Sequence, residues 1–185
     1  MPSRNMRFLA GHIYHVYNRG VDGDAIFFKA DNYLYLLRLL KKNVRKAEIN
    51  VIAYCLMPNH YHLLLKPQQD DTVSHCMQCV WGAYVQAINK QQGRTGPLFQ
   101  GRFRAIAVQE LRYGLHMARY IHANPVSAGL VDHLEDWPYS NYRDVIALRT
   151  GALKDDTLVP DAFATPADYR QFVQAYVAYR HEIDG

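Results

Sequence analysis

Asn50-Val51-Ile52-Ala53-Tyr54-Cys55-Leu56-Met57-Pro58-Asn59-His60-Tyr61-His62-Leu63-Leu64-Leu65-Lys66-Pro67 is the stretch that decides the fold. Residues 50–57 have the β-branched, aromatic and apolar content of a strand, and residues 60–66 have it again. Pro58-Asn59 separates them. Proline presets a turn dihedral and cannot donate to a ladder, and asparagine tolerates turn conformations. Two strands joined by so short a turn predict an antiparallel hairpin.

Upstream, His12-Ile13-Tyr14-His15-Val16-Tyr17-Asn18 has strand composition and ends at Arg19-Gly20, with Asp22-Gly23-Asp24 turn-like. A helix is expected over residues 33–42 with Asp31 as its N-cap. Its Lys and Arg gather at the C-terminal end, where the macrodipole favours cations. Downstream, a helix is expected over about 74–91, capped by Thr72 or Ser74, and then a loop over 93–97. Residues 102–108 alternate and read as a fourth strand. Residues 110–123 read as a third helix stopped by Asn124-Pro125. Trp137-Pro138-Tyr139-Ser140 is a turn with a short helix after it. Thr165-Pro166-Ala167-Asp168 starts a last helix running to about Arg180. The order strand, helix, strand, strand, helix, strand is the split βαβ order of a ferredoxin-like sheet. The expected class is α+β: an antiparallel sheet with helices on one face, a third helix, and a C-terminal helical extension. The other face remains available for a site or for that third helix. Residues 1–145 are expected to form the main domain, with residues 146–185 packed on it.

The chain has 185 residues, 49% hydrophobic and 21% charged, which fits a soluble globular protein. No apolar run has the length of a transmembrane helix, and Met1-Pro2-Ser3-Arg4-Asn5-Met6-Arg7 is basic without a signal-peptide core. A cytoplasmic location is therefore expected. Three cysteines argue against a disulfide framework. Cys76 and Cys79 read as small apolar core residues one helical turn apart. The net charge of +4 permits a polyanionic partner. Fourteen tyrosines serve a core or a base-stacking surface equally well.

His60-Tyr61-His62 puts two imidazoles on one face of a strand, where a divalent ion can bridge them. With nine histidines in the chain, chance is the competing reading. Tyr120 and Asn124 are four residues apart on one helical stripe, with His116 one turn earlier. Either they supply a nucleophilic phenol beside a coordinating amide, or Tyr120 packs and Asn124 caps.

The ordered combination is more specific. Tyr54-Cys55-Leu56-Met57-Pro58-Asn59-His60-Tyr61-His62-Leu63-Leu64-Leu65 resembles the metal-binding hairpin of the HUH single-strand transposases. Gln100-Gly101-Arg102-Phe103, Arg119-Tyr120-Ile121-His122-Ala123-Asn124-Pro125-Val126 and Ala128-Gly129-Leu130-Val131 resemble their nucleophile region. Tyr14-His15-Val16-Tyr17-Asn18-Arg19-Gly20 fits as well. The resemblance spans about residues 10–145 and is greatest to the REP-associated tyrosine transposases. It implies that His60 and His62 are metal ligands and that Tyr120 is the nucleophile. Asn124 would be the third ligand, where insertion-sequence enzymes usually carry Gln. Tyr61 is expected on the opposite face.

The resemblance further implies Mg²⁺ or Mn²⁺ as cofactor and single-stranded or hairpin DNA as partner, with a 5′-phosphotyrosine intermediate. The protein would act as a monomer or homodimer. Arg102, Arg104, Arg112, Arg119 and Lys66 are the phosphate-contact candidates, each equally readable as a solvated surface charge. Tyr14, Tyr17, Tyr54 and Tyr61 are candidates for base stacking, with core packing the competing use. Tyr113 is the reserve nucleophile. Two other activities compete: a DNA-hairpin-binding module with a silent site, and an H-x-H metal hydrolase that needs no tyrosine.

Overall fold

The computed structural model describes residues 6–151, 153 and 158–184, with side chains to residue 180. The expectations for residues 1–5, and those parts of the C-terminal extension at 152, 154–157 and 185, lie outside the described residues.

The hairpin forms as expected. Strands β2 (Ile49–Met57) and β3 (His60–Pro67) pair antiparallel around Pro58-Asn59, with Met57 opposite His60. Strand β1 (Ile13–Arg19) lies on the other side of β3, and β4 (Arg104–Val108) lies outside β1. The sheet order β2-β3-β1-β4, all antiparallel, is the ferredoxin-like arrangement.

Strand periodicity sorts the side chains into two cores. Tyr14, Val16, Tyr54, Leu56, Tyr61, Leu63 and Leu65 face helices α1 (Ala30–Lys46) and α2 (Thr72–Gln92), against Leu36, Leu40, Val80 and Tyr84. Ile13, Cys55, Met57 and Leu64 face the other way, onto Ala118, Ile121 and Ala123 of α3 (Leu111–Ser127). The C-terminal helices complete this second core. A short α4 (Tyr142–Val145) supplies Tyr142, α5 (Leu158–Ala162) supplies Leu158 and Val159, and α6 (Pro166–Asp184) supplies Tyr169 and Val173. Leu64 and Ile121 are fully buried, and each such burial stabilises by about 1.5–3 kcal/mol. Gly114 permits this approach of α3, since a Cβ there would stand 3.3 Å from Leu158 and 3.4 Å from Ile13. The third helix thus occupies the sheet face left available by α1 and α2.

The outer edge of β2 is closed. The Leu56 N–H donates to the Tyr139 carbonyl at 2.9 Å, and the Asn141 N–H donates to the Tyr54 carbonyl at 3.3 Å. A covered edge cannot pair with another chain.

Several local expectations change. Helix α1 starts at Ala30 with Lys29 as N-cap, not Asp31. The Asn32 side chain takes the free amides instead, accepting from Phe28 at 3.0 Å and Lys29 at 3.1 Å. Neither Thr72 nor Ser74 caps α2; Asp71 holds that position with φ 58°, its carboxylate drawn to the Phe8 amide at 3.2 Å. Pro125 lies inside α3 rather than ending it. Proline costs the bond its own N–H would make and crowds the carbonyl four residues back, but the residues after it still close the turn, Ala128 N to Asn124 O at 2.9 Å and Leu130 N to Pro125 O at 3.0 Å. Gly129, at φ 64°, then reverses the chain.

Helix α5 was not expected, and α6 runs past Arg180 to Asp184. Its start is as anticipated. Asp168 N–H donates to Thr165 Oγ1 at 3.2 Å, and the Thr165 amide donates back to the Asp168 carboxylate at 2.8 Å. Of the cysteine pair, Cys76 is buried but Cys79 is exposed, because three residues of helix rotate Cys79 off the apolar stripe. Among the described residues no helix is long and apolar enough to cross a membrane.

Candidate active site

The two central strands build the site. His60 and His62 alternate on β3 and share the face toward α3, with ring centroids 5.0 Å apart. Tyr61, between them, points the other way and stacks on Trp81 at 4.0 Å. Antiparallel register sets Tyr17 opposite His62, which brings His15 and Tyr17 of β1 onto the histidine face. His15 and Tyr17 stack at 4.8 Å, and His15 and His62 at 5.1 Å.

Both β3 imidazoles are held through Nδ1. His62 Nδ1 and His15 Nε2 share a hydrogen bond of 2.9 Å. His60 Nδ1 bonds Asn59 Oδ1 at 2.7 Å, and Asn59 Nδ2 donates to the Gly23 carbonyl at 3.0 Å. Each ring is therefore fixed in plane through Nδ1, the way outer partners orient histidines for ligation, and the His60 ring also meets the Asn124 amide. Burial also keeps the rings neutral. It pushes the His15 pKa down to about 4 and the His62 pKa well below its ordinary value, with repulsion from His15 and His60 adding to the latter. His60 is lowered by burial too, opposed by a hydrogen bond with the Asn124 amide and assisted by the Arg19 charge. A neutral imidazole has the lone pair that a metal needs.

Helix α3 lays Tyr120 over these rings. Its ring stands edge-on, 5.5 Å from His62 and 6.4 Å from His15, and the residue is 39% exposed. One turn on, Asn124 Nδ2 donates to the Tyr120 carbonyl at 2.8 Å while its amide also reaches His60.

The opposite side of α3 is pinned. Buried His122 bonds Asn141 Oδ1 through Nε2 at 2.9 Å and Tyr169 Oη through Nδ1 at 2.7 Å. Asn141 Oδ1 is an acceptor, because Asn141 Nδ2 donates to the Ile52 carbonyl at 3.0 Å and Oδ1 takes the Tyr54 N–H at 2.7 Å. His122 is therefore the Nε2–H tautomer, and Tyr169 donates to it. This network ties α3 to β2 and α6 at residues adjacent to Tyr120.

The remaining candidates scatter. Arg102 and Arg104 are exposed at the β4 edge, with Arg104 paired to Tyr17, and Arg112 is exposed in the first turn of α3. Arg119 lies over the Phe172 and Tyr176 rings of α6 at 4.4 and 4.6 Å and bonds His116 at 2.9 Å. That bond is His116's structural role. Lys66 is half-buried at the far end of β3. Tyr14, Tyr54 and Tyr61 are core residues, whereas Tyr17 is half-buried at the site. Tyr113 is 65% exposed, two turns before Tyr120.

Sequence reasoning missed His15 and Asn59 as site residues and placed Tyr17 only among the base-stacking candidates. The alternating His-x-Tyr of β1 was the available signal. Among the described residues, no three His, Cys, Asp or Glu side chains cluster as a metal site by themselves. An ion here would need the amide of Asn124 or solvent to complete its shell.

A family model described as Transposase IS200 like matches residues 11–124. A REP-associated tyrosine transposase of Escherichia coli K12 is 31% identical over 106 residues, covering 56% of this chain and 60% of that protein. A Haemophilus influenzae protein named for the same transposases is 28% identical over 118 residues, covering 58% of this chain and 67% of that protein. A solved REP-associated tyrosine transposase bound to a REP hairpin has the same fold, with TM-score 0.67 at 21% identity. The match covers 85% of this chain and 96% of that one.

Proposed function

As the chain belongs to the family of IS200-like transposases, we propose that it cuts and rejoins single-stranded DNA beside a REP-like hairpin, with Tyr120 as nucleophile. One observation carries this reading: a partly exposed Tyr120 ring lies 5.5 Å from His62, over two imidazoles each anchored by Nδ1.

The donor set fits a divalent ion. His60 Nε2, His62 Nε2 and the Asn124 amide oxygen would hold it, a mixture Mn²⁺ accepts readily and Mg²⁺ accepts with waters. When bound, the ion supplies Lewis-acid stabilisation of charge on the scissile phosphate. The chain does the rest. Tyr120 Oη attacks the phosphorus in line, and the bond from phosphorus to the 3′ oxygen breaks. The phenol proton is lost, the departing oxygen takes up a proton, and a 5′-phosphotyrosine and a free 3′-OH result. The phosphoester is conserved, so rejoining needs no external energy. Exposed Arg102, Arg104 and Arg112 contact the DNA backbone. Residues 1–145 carry the chemistry, and the C-terminal helices brace α3 from behind.

Covalent capture tests this reading. Labelled hairpin DNA with a single-stranded flank is mixed with the protein and Mn²⁺ or Mg²⁺, denatured, and the adduct mapped. The expected adduct is on Tyr120, disappears with chelator and with Tyr120→Phe, and leaves DNA binding by that variant intact. An adduct that survives Tyr120→Phe refutes the assignment and moves it to Tyr113. Tight binding with no adduct across a hairpin library refutes cleavage itself.

A further inference from the structure

Helix α2 packs one side into the core and turns the other to solvent. A solvated helix face ordinarily carries charges. Residues 72–89 contain no Asp, Glu, Lys or Arg, yet Ser74, His75, Gln78, Cys79, Gly82 and Gln86 of that stretch are exposed. Within this face His75 and Cys79 stand four residues apart, hence side by side on the helix. His75 Nε2 and Cys79 Sγ are 3.6 Å from one another. In a tetrahedral zinc shell, bonds of about 2.3 Å to sulfur and about 2.0–2.1 Å to nitrogen set those two atoms about 3.5–3.6 Å apart. The pair therefore already has the spacing of two ligands on one ion. A weak thiol–imidazole hydrogen bond spans the same gap, and ligation replaces it: the thiol proton goes to solvent, and both lone pairs go to the metal. Cys76, the other cysteine of the Cys-x-x-Cys, is buried in the core and offers this ion nothing.

Two donors are half of the closed four-ligand shell of a structural zinc site. Among the described residues no third His, Cys, Asp or Glu joins them as a metal site. A second copy related by a twofold axis supplies the other half with the same two residues, because such a contact sets each patch against itself. Gly82 favours that approach. It lies one turn past Cys79 on the same side, and a Cβ there would meet nothing within 4 Å, so no packing inside the chain calls for glycine. Its bare backbone lets a second helix come close. We infer that His75 and Cys79 form half of a zinc site, completed by His75 and Cys79 of a second copy of this chain docked α2 to α2. The sulfur donors set it apart from the His60–His62 centre, since thiolate and imidazole suit Zn²⁺ whereas Mg²⁺ and Mn²⁺ favour oxygen. Helix α2 covers the sheet face opposite α3, so the bridge leaves Tyr120 open in both copies. The inference is independent of the strand-cleavage reading.

The full chain, kept reduced with a phosphine, is titrated with Co²⁺ and with Zn²⁺ and followed by absorption and by light-scattering mass. Co²⁺ is expected to give a thiolate charge-transfer band that Zn²⁺ displaces, and either ion doubles the mass. Chelator reverses both changes. The His60–His62 centre has no sulfur and gives no such band. Cys79→Ser and His75→Ala, both at exposed positions, keep the fold and lose band and dimer together. Cys79→His rebuilds a two-donor chelate without sulfur, so Zn²⁺ again doubles the mass while Co²⁺ gives no thiolate band.

Absence of the band overturns the proposal, as does a band that persists in Cys79→Ser or His75→Ala. A band with unchanged mass overturns the bridge between copies. A dimer that survives chelator is held by something other than the ion and overturns it as well.

Discussion

Replacing Asn141 with alanine removes the side chain that locks α3 to the edge of the sheet. Three buried groups lose their partner. The Tyr54 N–H, at 2.7 Å, and the His122 Nε2–H, at 2.9 Å, lose an acceptor, and the Ile52 carbonyl, at 3.0 Å, loses a donor. None has an obvious substitute, because Ile52 stands at the β2 irregularity between Val51 and Ala53, outside the regular pairing with β3. Stranding a buried polar group costs about 1–3 kcal/mol, so losing three partners should cost the variant roughly 3–9 kcal/mol. That is a large part of the ~5–15 kcal/mol that holds a domain together. Urea unfolding followed by circular dichroism measures it. At a slope of about 1–3 kcal/mol per molar urea, the midpoint drops by a molar or more. The His122 share is separable. In a His122→Phe background the imidazole N–H is already gone, so Asn141→Ala should cost less than it does in wild type. A loss below about 1 kcal/mol, or full additivity of the two substitutions, would refute the network's role.

Three further outcomes are expected. His15→Phe keeps the packing against Tyr17 but deletes the bond to His62 Nδ1, and calorimetry with Mn²⁺ should find affinity reduced about 10- to 100-fold; an unchanged Kd would assign His15 to packing alone. Acid should unfold the protein through its neutral histidines. His15 and His122 have folded pKa values near 4 against about 6.5 unfolded, so the unfolded chain takes up protons first, and stability is full above pH 6.5 and falls toward pH 4. The loss is on the order of 3 kcal/mol per histidine, and His122→Phe should flatten the pH profile of the urea midpoint. Gly20→Ala should be strongly destabilising, because its Cβ would lie 2.1 Å from the Asp24 backbone oxygen; an unchanged thermal midpoint would show that the turn can yield.

Much of the fold was legible because its signals are local. Strand periodicity in β1 to β4, the Pro58-Asn59 turn and the reciprocal Thr165–Asp168 cap each depend on residues a few positions apart, and each appears where the sequence put it. The shared face of His60 and His62 follows from the two-residue repeat of a strand, and the Tyr120–Asn124 stripe from the helical turn. Local reasoning failed where another group, distant or near, took the contact it had assigned. Asp71 was drawn to Phe8, Asn32 displaced Asp31 as the keeper of the α1 amides, and the helical turn after Pro125 closed on its own carbonyls.

Sequence alone therefore determined the order of elements, the histidine pair and the tyrosine beside its amide. Tertiary structure decided which residues those groups would meet. No spacing along the chain reveals that His15 bonds a histidine 47 residues later, that His122 reaches Asn141 and Tyr169 to set the pose of α3, or that Trp81 lies behind the histidine strand with its N–H unmet. These contacts depend on strand register and on how a helix packs across a sheet. Both are settled by burial summed over the whole core, so they emerge only when the chain has closed around it.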